Sequence, residues 1–197
     1  MVLPFLMKGG REQGLGLMRS APGAVEHALH AMAETLRAYA GACLDAGADG
    51  LFYATNLATR SLTTPAECRR FQRPYDLRIL GAVEHAPFNL LHVCGEAVHF
   101  DEFADYPVTA FSRATVPGNP TLSEGHRKTG RTVVGGFPGK PDIASFTSVA
   151  LAGRARSAIA EMRGRSLLLG PDCSINPDTP EPLLHAAGAA TREPRPA

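Results

Sequence analysis

The chain has 197 residues, a formal net charge of +1 and a hydrophobic share of 44%. That is enough chain and apolar material for one ordinary domain with its own core. Near-neutrality, with no basic run and no interleaved aromatic pattern, argues against a nucleic-acid-binding face or an acidic-membrane surface.

No apolar stretch approaches the roughly 20 residues of a membrane span. The start, "MVLPFLMKGG", places its lysine after the apolar run and lacks a signal-peptide cleavage pattern. The four cysteines, at 43, 68, 94 and 173, are too irregularly spaced for a secreted disulfide framework. A reducing cytoplasm is the expected location.

In chain order, "MVLPFLM" reads as the tail of a strand, and the lone "GGREQG" fails both nucleotide-binding glycine patterns. The spacing of Val25, Leu29, Met32, Leu36, Tyr39 and Cys43 predicts a helix over residues 21–50, with Pro22 at its start and Gly47 at its stop. "GLFYATN" is a short strand. Residues 63–85 read as a helix opened by Thr64 and Pro65, with a break at Pro74. "FNLLHVCG" is a strand, "FDEFADY" a short helix and "PVTAFS" a strand. Residues 121–130 form a helix with Thr121 and Glu124 in capping-box positions. "RTVVGGF" is a strand, with Gly135 and Gly136 read as a turn at its end. Residues 142–164 read as one helix, "RSLLLGPDC" as the last strand and residues 179–191 as a final helix. A frayed tail is expected over 191–197.

Five strand–helix steps in series imply a single α/β domain over residues 1–197 with a parallel sheet. Two closures fit, an open doubly wound sheet or a (β/α)8 TIM barrel. The absence of GxGxxG and of GxxxxGK[ST] favours the barrel. A full barrel needs about 250 residues, so the barrel is expected to be incomplete, with about the last five to six β/α units.

The stretch "LLHVCGE" carries the chemistry. Residues two apart in a strand face one side, so His92 and Cys94 point together, and Gly95 lets the chain turn after them. Such residues at the C-terminal end of a barrel strand sit where these folds do chemistry. "GPDCSINPDTP" brings Cys173 to the same rim from the last strand. One imidazole and two thiolates suit zinc and leave a fourth position open. Spacing alone leaves a second reading open, in which three partly buried residues bind no metal. Glu96, His99 and Asp172 are candidates to orient a ligand, or are an ordinary loop carboxylate, a helix-cap histidine and a loop aspartate. Tyr53 and Asn56 end a strand and are candidates to line the pocket; Tyr53 reads equally as core. Asn119 and Pro120 read as turn residues. Cys43 and Cys68 read as core.

"LLHVCGE", "DYPVTAFS", "GNPTLSEG", "TVVGGF" and "GPDCSINPDTP", with "LDAGADGLFYATN" and "RPYDLRIL", fall in the order seen in the uroporphyrinogen decarboxylase superfamily. The resemblance covers residues 20–190. It is closest to the branch of cobamide-dependent methyltransferases typified by methylcobamide:coenzyme M methyltransferases. That branch implies a zinc site on His92, Cys94 and Cys173. It also implies transfer of a methyl group from methylcobamide, on a separate corrinoid protein, to a zinc-bound thiol such as coenzyme M, or to a folate acceptor. The decarboxylase proper resembles the chain in fold but lacks the H-x-C, and its substrate-binding arginines and aspartate belong to an N-terminal part without counterpart here. A lyase of porphyrin biosynthesis and a truncated, non-catalytic subunit are the alternatives. The missing part corresponds to roughly three strands, so self-association or a complementing chain is expected.

Overall fold

The computed structural model describes residues 10–139 and 142–192. The expected strand in "MVLPFLM" and most of the expected tail lie outside those residues. Thr191 and Arg192 belong to a short 3-10 turn, Ala190–Arg192, that extends the last helix.

Five strands form one sheet in the order β1-β2-β3-β4-β5. They are β1 (Phe52–Thr55), β2 (Leu90–Val93), β3 (Ala110–Arg113), β4 (Thr132–Phe137) and β5 (Leu167–Pro171). Every neighbouring pair is parallel. A doubly wound sheet reverses its strand order at a switch point. This one never reverses, so it is an arc of a TIM barrel, as the sequence implies. Both end strands, β1 and β5, have a free edge among the described residues.

The helices cover one side. They are α1 (Gly10–Ser20), α2 (Pro22–Asp45), α3 (Pro65–Phe71), α4 (Arg73–Gly81), α5 (Leu122–Thr129), α6 (Ser148–Glu161) and α7 (Glu181–Ala189). Thr64 and Thr121 each close a full capping box, with Glu67 and Glu124. The helix break expected at Pro74 falls at Gln72 (φ −125°), because the proline sits in the first turn of α4, where its missing N–H costs nothing.

Three elements depart from the sequence reading. Helix α1 was not expected: its glycines suppress the helical signal, and packing of Leu15, Leu17 and Met18 on Val25, Leu29 and Phe71 overrides them. Along α2 the buried stripe runs through Val25, Leu29, Ala33 and Ala40, while Tyr39 is 67% exposed. Small side chains at 33 and 40 let the helix lie close to Ile79 and Val83. The helix expected over 142–164 is divided. A 3-10 turn spans Asp142–Ser145, and Thr147 caps α6 by accepting from the Ala150 N–H at 3.2 Å.

The main core lies between strands and helices: Leu91, Val93 and Phe111 pack with Phe100, Phe103, Tyr106 and Leu80. Within it Asp76 is 3% exposed and accepts hydrogen bonds from Tyr53 Oη (2.6 Å) and Tyr106 Oη (3.2 Å). Burial pushes its carboxyl above the ordinary range, against the pull of those bonds. A folded-state pKa above the unfolded value of about 3.9 contributes stability below that value, lost as pH rises through the folded pKa. Asp76→Asn should therefore gain stability relative to the wild type as pH is raised from about 4, measured by urea unfolding at stepped pH. A difference independent of pH contradicts this.

Candidate metal centre

The inner face of the sheet builds the site row by row. The register places Ala54, His92, Ser112, Val134 and Leu168 side by side across the five strands. His92 is 4% exposed. Its ring stacks on Phe52, with centroids 5.9 Å apart and planes 29° from parallel. Nδ1 lies 3.1 Å from Ser112 Oγ, while Nε2 is buried without a hydrogen-bond partner among the described residues.

Cys94 stands one step further along the same face. Its N–H continues the ladder to the Thr55 carbonyl at 2.9 Å. Gly95 then turns at φ +112°, and a Cβ there would lie 2.3 Å from Thr59 Cγ2. The turn therefore needs glycine, both for its dihedral and for its contact with the loop after β1. Asn119 fastens it from the other side. Its Nδ2 donates to the Gly95 and Ala114 carbonyls at 2.9 and 3.0 Å, and its Oδ1 accepts from the Val98 N–H at 2.9 Å. This residue, read from sequence as a turn former, clamps the turn behind Cys94.

Cys173 follows β5. The Asp172 N–H extends the ladder to the Phe137 carbonyl at 2.8 Å. Gly139 lets the loop after β4 cross over it, since a Cβ at 139 would lie 2.8 Å from the Ser174 carbonyl oxygen and 3.0 Å from the Cys173 nitrogen. Cys94 and Cys173 are half-buried and in no disulfide. One ligand atom each from His92, Cys94 and Cys173 lie within 4.8 Å of one another. The three residues separated in sequence thus form a group that can hold a metal ion. Cys94 and Cys173 border a cavity of about 610 Å³ whose lining includes Glu96, Thr115, Arg154 and Asp172.

Below the rim lies a pair that sequence reading missed. Arg113 is fully buried, its Nε donates to the Pro120 carbonyl at 3.1 Å, and Nη1 and Nη2 have no hydrogen-bond partner among the described residues. It approaches Asp172 across Gly135, where a Cβ would stand 3.3 Å from Arg113 Nη1 and 3.5 Å from Asp172 Oδ1. Asp172 Oδ1 also accepts from Thr115 Oγ1 at 2.8 Å. Burial pushes the Asp172 carboxyl up and pulls the Arg113 guanidinium down, outweighing their mutual attraction on both sides. Gly135 and Gly136 are therefore not a turn. They lie inside β4 at φ +159° and +129°, and the missing side chain at 135 makes room for the Arg113–Asp172 approach.

Of the remaining candidates, Glu96 is exposed and lines the cavity. Tyr53 lies on the opposite face, packed in the core with its hydroxyl on Asp76; strand alternation gives the inner face to Phe52 instead. Asn56 is half-buried after β1 and is not among the described residues lining the cavity. His99 is 6% exposed, and its Nε2–H donates to the Thr63 carbonyl at 2.7 Å. It ties the loop after β2 to the start of α3 and has no place at the metal group. The signal that would have found Phe52 is the same period of two that found His92. Ser112 depends on a cross-strand register that no local pattern encodes.

With this geometry in place, the comparisons identify the lineage. A family model described as uroporphyrinogen decarboxylase (URO-D) matches residues 2–193. The chain belongs to that family. No curated protein matches it in sequence. A solved methyltransferase from Methanosarcina mazei shares the fold, with a TM-score of 0.79 and 23% identity, over 92% of this chain and 52% of that one. The chain thus spans about half the length of that neighbour. No helix among the described residues is long and apolar enough to cross a membrane.

His99→Ala should lower unfolding free energy by about 1–3 kcal/mol, the cost of an unpaired buried carbonyl. Metal stoichiometry should stay at the wild-type value. Loss of metal with unchanged stability would return His99 to the site.

Proposed function

We propose that this URO-D-family chain carries the metal centre of a methyl-transfer enzyme, with zinc held by His92, Cys94 and Cys173. The supporting observation is that a ligand atom from each of His92, Cys94 and Cys173 lies inside 4.8 Å of the others, while His92 Nε2 is buried with no hydrogen-bond partner among the described residues. A buried imidazole nitrogen without a partner is costly, and a cation supplies the missing one. Two ligands of a tetrahedral zinc with bonds of about 2.3 Å stand about 3.8 Å apart. Small side-chain rotations close that gap.

When bound, the zinc supplies Lewis acidity that lowers the pKa of an acceptor thiol and keeps its sulfur nucleophilic. Three protein ligands leave the fourth position for that acceptor. The cavity beside Cys94 and Cys173 provides its space. Phe52 shields one face of His92, and the Gly95–Asn119 clamp keeps Cys94 facing the cavity. The methyl donor in this reading is methylcobamide on a corrinoid protein: the sulfur–carbon bond forms as the cobalt–carbon bond breaks, and that electron pair stays with cobalt. Coenzyme M or another small thiol is the acceptor. The cytoplasm, where thiols stay reduced, suits such a centre.

The free edges of β1 and β5, with Phe52 70% and Leu168 43% exposed on the inner face, support a second proposal. A second copy or a complementing chain covers them. A single sharp monomer boundary in sedimentation velocity contradicts it.

A metal-free lyase is the reading favoured by the family model's own description. Metal content separates the two. Elemental analysis of protein purified under reducing conditions should find about one zinc per chain. Cys94→Ser and Cys173→Ser should each lose most of it. A wild type without zinc rules out the methyl-transfer reading.

A further inference from the structure

We infer that Ser112 is a positioning residue for the metal centre, fixing the His92 tautomer so that Nε2 presents its lone pair to the ion. The inference rests on the zinc reading above and assigns a role to a residue outside the ligand set.

Ser112 lies directly opposite His92 in the parallel ladder between β2 and β3. Its backbone position is set by the register, which brings its side chain beside the ring. It is 3% exposed, and its Oγ stands 3.1 Å from His92 Nδ1. The other ring contact, the stack on Phe52, fixes the ring plane but offers no hydrogen bond.

A neutral imidazole carries one N–H and one lone pair. If Nε2 held the proton, a buried N–H would have no acceptor, because Nε2 has no partner among the described residues. If Nδ1 holds it, the N–H donates to Ser112 Oγ and the Nε2 lone pair is left available to a cation. A cation at Nε2 forces this second arrangement, and Ser112 supplies the acceptor that it requires. Without that acceptor the metal-free ring can carry its proton on either nitrogen, whereas the metal-bound ring must keep an unsatisfied Nδ1–H. Ser112 therefore acts on the bound state and reaches the metal only through His92.

The probe is zinc ion, competed against a chelator of known affinity. Ser112→Ala should weaken zinc binding by about 10- to 100-fold, the range for a lost outer hydrogen bond to a ligand, and Ser112→Thr, which keeps the hydroxyl, should restore it. In a His92→Ala background the Ser112→Ala change should have no further effect on affinity. Nitrogen NMR of the unsubstituted, zinc-loaded protein should show His92 protonated at Nδ1; this readout does not depend on any variant folding. Wild-type affinity in Ser112→Ala, an equal loss in both backgrounds, or a proton on Nε2 overturns the assignment while leaving the zinc centre intact. A wild type that binds no zinc overturns both.

Discussion

The site depends first on the register of the parallel ladder joining β1, β2 and β3. One row of that ladder puts His92 between Ala54 and Ser112 on the inner face. The next step of the same strand carries Cys94, still tied to β1 through its N–H and the Thr55 carbonyl. A slip of one residue in β2 would turn both side chains into the helix layer and bring Leu91 and Val93 inward. Those two are fully buried against Phe100, Phe103 and Phe111, so the slip would empty the core it now fills. The burial of an ordinary apolar face thus holds the metal group in register.

Beyond the strand ends, glycine and asparagine take over from the ladder. Gly95 and Gly139 allow backbone to pass where a side chain would collide. Asn119 joins the turns after β2 and β3 through three backbone hydrogen bonds. Beneath Cys173, the buried Arg113 approaches Asp172 across the bare Gly135. Burial disfavours the charged form of each, so removing one partner leaves an uncompensated charge in a dry place. These contacts hold the two cysteine-bearing loops from separate directions.

Much of this was legible in the sequence because it is local. The period of two in "LLHVCG" put His92 and Cys94 on one face, and the capping boxes at Thr64 and Thr121 marked two helix starts that the structure keeps. The serial strand–helix pattern gave the barrel arc. What stayed hidden is tertiary. Helix α1 forms against Val25, Leu29 and Phe71 in spite of its glycines. His99 is claimed by a carbonyl thirty-six residues away, and Tyr53 by an aspartate twenty-three away. Arg113 is hidden because the strand pattern "PVTAFS" ends at Ser112, one residue before the end of β3, and nothing nearby in sequence marks a buried guanidinium.

Membership of the URO-D family fixes the fold, and the His92, Cys94 and Cys173 group gives that fold a site able to hold a metal. The central claim is that this group is one mixed nitrogen–sulfur zinc site. X-ray absorption at the zinc edge of the loaded wild-type protein tests it most directly. The account predicts one nitrogen and two sulfur neighbours from the protein, the sulfurs at about 2.3 Å. A coordination shell of oxygen and nitrogen alone would contradict it.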